Sequence, residues 1–162
     1  MFILFLQRDG TMKKEIKNEV DKSYKRIIVP VDGSELSKKA AKIACFFANK
    51  ANRKIIFIHV IELPATALPH GQATYIPKIS DTLKENGESI LIEIKEVCSD
   101  SDVDIETKMV EGIPDNEIID FTNDNDLIIM GSKGHSAFER VLIGSVSEKV
   151  LHHSDSSVMI VR

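Results

Sequence analysis

The chain has 162 residues, 43% of them apolar and 28% charged, which is the size and balance of one globular domain with a core of its own. A net charge of −4 excludes the basic footprint of a general nucleic-acid binder. It does not exclude an anionic small ligand, because a nest of backbone N–H groups holds phosphate without surplus basic side chains.

Residues 1–24 read as an N-terminal extension and 25–162 as the domain. Met1 to Leu6 is an apolar run far shorter than the ~20 residues of a membrane span. No basic segment precedes it and Gln7-Arg8-Asp9 follows it, which is a poor match to a signal peptide. Met12 is an alternative start. Lys13 to Lys22 is highly charged, with Ile16 and Val20 its only apolar residues, and reads as a flexible arm or short helix outside the core.

Arg26 to Val31 is a short run rich in β-branched residues that ends at Asp32-Gly33, which suits a central strand buried on both faces. Ser34 is a candidate N-cap. Leu36, Ala40, Ile43, Ala44, Phe47, Ala48 and Ala51 then recur on one helical face. Lys54 to Ile61 is a second buried strand. The stretch from Pro64 to Pro77 is long for a connection and reads as a lid or irregular segment. Helical periodicity returns from Leu83 to Cys98. Ile105, Thr107 and Met109 alternate with charged neighbours, as expected of a strand toward a sheet edge. Gly112-Ile113-Pro114 precedes a short helix built on Ile118, Ile119 and Phe121. Leu127 to Met130 is another buried strand, Val141 to Leu151 contains a helix, and Val158 to Val161 closes the chain as a strand. Alternation of five strands with four helices argues for α/β architecture on a parallel sheet. Cys45 and Cys98 fall on apolar helix faces, without metal-ligand spacing, and read as buried structural thiols of a cytoplasmic protein.

The chemistry concentrates in Met130-Gly131-Ser132-Lys133-Gly134-His135-Ser136 and in Gly144-Ser145-Val146-Ser147. A buried strand runs into a glycine turn, and glycine with hydroxyl residues then opens a helix. Glycine permits close approach of backbone to a ligand. A helix start offers unsatisfied N–H groups and the positive end of its dipole. Together these are the ingredients of a phosphate cradle. Any one of these residues alone reads better as a tight turn or a helix cap, and only the combination points to a cradle. The segment is not a Walker A loop, since no Gly-Lys-Ser/Thr occurs in it, and the third glycine of a dinucleotide fingerprint is absent. Lys133 and His135 read either as phosphate contacts or as solvated loop residues. His59, inside a strand, reads as a satisfied core or sheet-end histidine. His152-His153 alone does not make a metal site.

Gly131-x-x-Gly134, nine residues, then Gly144-Ser145 resembles the ATP-binding signature of the universal stress protein family, G-2x-G-9x-G-S/T. The resemblance runs from about Tyr24 to Arg162. It includes Arg26 to Ser34, Ile58-His59-Val60, Gly112-Ile113-Pro114, Leu127 to Ser132 and Val158 to Arg162. It departs at Ser157, where a proline is common, and Pro64 to Pro77 does not align. The resemblance implies a Rossmann-like open twisted sheet of order 3-2-1-4-5 with helices on both faces, and a ligand where that order reverses. It implies nucleotide contacts from Pro30, Val31, Asp32, Val60, Met130, Gly131, Ser132, Lys133, Gly134, His135, Ser136, Gly144, Ser145, Val146 and Ser147. The ligand expected is ATP, or AMP or ADP, with Mg²⁺ through the bound triphosphate, and Asp32 is its one candidate protein contact. The implied function is a nucleotide-dependent regulatory or stress-response switch, cytoplasmic, homodimeric through Val158–Val161, acting on a protein partner that the sequence does not identify. Two rival readings are a slow ATP hydrolase and a nucleotide-free interaction module. Phosphoryl transfer needs a positioned base, and the sequence offers no convincing one, so binding with little turnover is expected.

Overall fold

A computed structural model describes residues 24–63, 75–99, 102–134 and 143–162. Five strands, β1 (Arg26–Pro30), β2 (Lys54–Ile61), β3 (Ile105–Glu111), β4 (Asp126–Gly131) and β5 (Ser157–Val161), alternate with four helices. These are α1 (Glu35–Ala51), α2 (Tyr75–Glu96), α3 (Pro114–Phe121) and α4 (Ser145–His153). The strands form one parallel sheet in the order β3-β2-β1-β4-β5, the order expected. β1 and β4 lie side by side although two βα units separate them in sequence, so the sheet changes winding direction between them.

Successive residues of each central strand point to opposite faces, and each face has its own core. Ile27, Val29, Ile55, Phe57, Leu127 and Ile129 pack beneath α1 and α2. Ile28, Ile56, Ile58, Ile128 and Met130 pack beneath α3 and α4. Crossovers that return each strand parallel to the last put helices on both faces. As expected, β3 is an edge strand, its exposed Glu106 and Lys108 alternating with half-buried Ile105, Thr107 and Met109.

Three features differ from the sequence reading. The buried stripe of α1 is centred on Ala40, Ala41, Ala44 and Ala48, each with no exposed surface, while Ile43 and Phe47 lie half-buried at its flank. Four small side chains let the helix sit close to the sheet, where bulky ones would hold it away. Helix α2 begins at Tyr75, eight residues before Leu83, so Pro77 is in its first turn, where a missing N–H costs nothing. The segment 64–74 lies outside the described residues. Cys45 and Cys98 are buried, as read, but they are joined as a disulfide between α1 and the turn after α2, with Cα atoms 5.8 Å apart. That separation is ordinary for a bridge.

At the amino ends of the strands, Arg26 pairs with fully buried Asp126 through hydrogen bonds of 2.8 and 2.5 Å and stacks 5.5 Å from the Phe121 ring centre. Asp126 holds the guanidinium protonated and raises its pKa. Ser157 accepts a hydrogen bond from the Tyr24 hydroxyl at 2.8 Å, which ties down the start of the edge strand.

Candidate functional site

The carboxyl ends of β1 and β4 open into a cavity of about 510 Å³, within the range of small-molecule sites. The β1 wall is Pro30, Val31 and Asp32; the β4 wall is Met130 and Gly131; Ile58 and Val60 of β2 complete the floor. Pro114 and Ile118 of α3 close one side. Lys133 and Gly134 of the loop after β4, with Gly144 to Ser147 at the start of α4, close the other.

The cavity's architecture follows from local sequence chemistry. Ser34 caps α1, its Oγ accepting the Ser37 N–H at 3.2 Å and donating to Asp32 Oδ1 at 2.6 Å. The Ser34 N–H adds a second bond to the same oxygen at 3.0 Å. One side chain thus caps the helix and orients the Asp32 carboxylate. The other carboxylate oxygen lies against Gly134, where any Cβ would overlap it.

The two described ends of the loop after β4 are joined by protein groups. Ser132 N–H donates to Val161 O at 2.7 Å, and Ser132 O accepts both the Gly144 N–H and the Ser147 hydroxyl at 2.7 Å. Gly144 is the N-cap of α4 in extended geometry and makes no side-chain capping bond. The first intrahelical bond runs from Glu148 N–H to Gly144 O at 2.9 Å. The N–H groups of Ser145, Val146 and Ser147 are therefore the first-turn donors that a helix does not satisfy internally, and all three residues line the cavity. This gives an anion-seeking end with a positive dipole, over a floor of Val31, Ile58, Val60, Ile118 and Met130 that suits an apolar planar group.

Of the residues expected at a site, twelve line this cavity: Pro30, Val31, Asp32, Val60, Met130, Gly131, Lys133, Gly134, Gly144, Ser145, Val146 and Ser147. Ser132 does not; it is buried behind the loop, bracing it through its backbone. His135 and Ser136 lie outside the described residues. Ser147 lines the cavity, but its hydroxyl is directed at Ser132 O and, at 3.0 Å, Gly144 O. Sequence reasoning missed Ser34, Ser37, Ile58, Glu62, Pro114 and Ile118. The Gly112-Ile113-Pro114 punctuation was visible, and Pro114 proves to be the first residue of α3, at the cavity side.

The universal stress protein family model matches residues 23–162. A universal stress protein of Methanocaldococcus jannaschii is 35% identical over 165 aligned positions, covering 100% of this chain and 95% of that protein. Among solved structures, a universal stress protein from Lactobacillus plantarum superposes with a TM-score of 0.78 at 22% identity, over 86% of this chain and 98% of that one. A universal stress protein in complex with cAMP superposes at 0.62 with 26% identity, over 86% and 98%. With its sheet order, its cavity and these likenesses in agreement, the chain belongs to the universal stress protein family.

Proposed function

We propose that this protein binds an adenine nucleotide in the cavity between β1 and β4 and acts as a nucleotide-dependent regulatory switch in a stress response. The observation that carries the proposal is the meeting, in one cavity, of an apolar floor with the first turn of α4 at Ser145, Val146 and Ser147, whose N–H groups a helix does not satisfy internally. A flat base suits the first and phosphate oxygens suit the second. A related structure holds cAMP, which has both parts. In this reading ATP is the physiological ligand, and Mg²⁺ arrives with the triphosphate. Asp32 and Val60 face the adenine or ribose end of the ligand, while Gly131, Gly134 and their neighbours, with Ser145, Val146 and Ser147, wrap the ribose and phosphates. The nucleotide-binding domain is residues 25–162, with 1–24 an extension. The protein works in the cytoplasm as a homodimer joined along β5, and it holds nucleotide with little turnover.

Mass spectrometry of ligand released from freshly purified protein identifies the nucleotide. Nucleotide-free protein is then melted with millimolar ATP and magnesium. At ~100 times Kd, linkage gives about 2.7 kcal/mol, which for a domain this size raises the melting temperature by roughly 5–11 °C. No shift and no bound nucleotide would refute the proposal.

A further inference from the structure

The histidine of β2 stands behind the cavity wall without lining it, against a residue that does. His59 Nδ1 lies 2.8 Å from the Val31 carbonyl oxygen. A carbonyl only accepts, so Nδ1 carries the proton and donates. Val31 is buried, lines the cavity and directly precedes Asp32. Its own N–H donates to Ile58 O at 2.9 Å. Both backbone polar groups of Val31 are therefore pinned to β2, beyond the last residue that pairs in the β1–β2 ladder.

The ring's place is in turn set by α2. A Cβ at Gly87 would stand 2.7 Å from His59 Cδ2 and 2.9 Å from Met109 Sδ, so the helix fits over the imidazole only because residue 87 has no side chain. A mid-helix glycine costs about 1 kcal/mol relative to alanine. The packing explains why it is there.

We propose that His59 is a positioning residue for the ligand: its Nδ1–H fixes the Val31 carbonyl, and through it the backbone that aims Asp32 at Gly134. This rests on the nucleotide-binding reading. Without the bond, the end of β1 has lost the pin that holds Val31 O, and the wall against which Gly134 closes is free to shift. The donor must stand at the δ position of residue 59. Asparagine places an N–H₂ there, glutamine places it one bond too far, and leucine has none.

The test is isothermal titration of nucleotide-free, full-length protein with ATP and magnesium, at a temperature where every variant is folded by circular dichroism. We expect His59→Asn to bind within about threefold of wild type, and His59→Leu and His59→Gln to bind on the order of tenfold more weakly, the scale of one lost hydrogen bond to a buried acceptor. Gly87→Ala, which keeps the donor but displaces the ring, is expected to weaken binding as well. A merely structural histidine would give apo melting shifts with unchanged Kd, and that result overturns the proposal. So does equal loss in His59→Asn and His59→Leu, which would show that the ring and not the donor matters. If wild type itself binds no nucleotide, the proposed function fails first and this inference falls with it. Should His59→Leu fail to fold, the comparison of His59→Asn with His59→Gln decides alone.

Discussion

Replacing Gly131 by alanine separates two reasons for a glycine at the end of β4. The sequence reading gives it to the ligand, whose close approach a side chain would block. The structure puts protein there: a Cβ at 131 would lie 3.0 Å from Leu36 Cβ, 3.1 Å from Leu36 C and 3.2 Å from Ser37 N. Two of those three atoms are backbone in the first turn of α1, which is capped by Ser34 and held down by a row of buried alanines. The helix start has little freedom to retreat, so the added methyl acts as overpacking, which costs about 1–3 kcal/mol. For a chain of this length each kcal/mol moves the midpoint by roughly 2–4 °C. Gly131→Ala is therefore expected to lower the melting temperature of nucleotide-free protein by about 2–12 °C, followed by circular dichroism at 222 nm. The control is Gly134→Ala, where the position is exposed and the added Cβ meets only the Asp32 carboxylate. There the added Cβ would stand 2.3 Å from Asp32 Oδ2, an overlap the carboxylate relieves only by turning from its Ser34 bonds, so that variant is expected to lose less stability than Gly131→Ala, whose neighbours are helix backbone, while losing nucleotide affinity. A Gly131→Ala protein that melts with wild type would refute the packing argument.

Three further outcomes are expected. Full reduction of the Cys45–Cys98 bridge, which joins residues 53 apart, removes up to about 4 kcal/mol in the chain-entropy account; a melting curve unchanged after reduction verified by mass would refute the bridge's contribution. Lys54, hydrogen-bonded at 2.6 Å, holds Glu106 below the usual carboxylate range, so the pair stabilises above the unfolded carboxylate pKa and is lost as pH falls through the folded one. The stability gap between wild type and Glu106→Gln should close in acid, and a gap independent of pH would contradict this. If β5 pairs with its twofold mate, wild type sediments as a dimer at tens of micromolar and Ile160→Asp as monomers or aggregates; a monomeric wild type ends that reading.

The strands were legible because a strand buried on both faces needs an unbroken apolar run, and Ile27 to Val29, Ile55 to Ile58 and Leu127 to Met130 are such runs. The glycine loop was legible because its residues are local in sequence. What sequence hid was non-local or a matter of phase. Helix α1 has apolar residues around much of its circumference, with Phe46 exposed, so periodicity placed Ala40, Ala44 and Ala48 on the buried face but missed Ala41 and did not show that Ile43 and Phe47 sit at its flank. Pro77 looked like a breaker because its tolerance depends on being in a first turn, and no residue before it announces the helix start. The approach of Cys45 to Cys98 depends on how α1 and α2 settle on one face of the sheet, which spacing along the chain does not encode. Ser37 had a signal that went unused: it stands three residues after the N-cap Ser34, the place a capping serine reaches for.

The three signature glycines share a property that the ligand argument alone does not supply. The space beside each is occupied by this chain: Leu36 and Ser37 against Gly131, the Asp32 carboxylate against Gly134, and Lys133 Cα, 3.2 Å from where a Cβ would stand, against Gly144. The two described ends of the loop are thus held together by the chain itself, with Ser132 O accepting both the Gly144 N–H and the Ser147 hydroxyl. Each glycine removes one obstacle to that arrangement. The first lets α1 reach the sheet, the second lets the loop pass over Asp32, and the third lets the start of α4 return to the end of β4. At the start of α4, Ser145, Val146 and Ser147 line the cavity with first-turn N–H groups that a helix does not satisfy internally. On this reasoning the glycine spacing answers to the packing of this chain around the cavity, whatever the cavity holds.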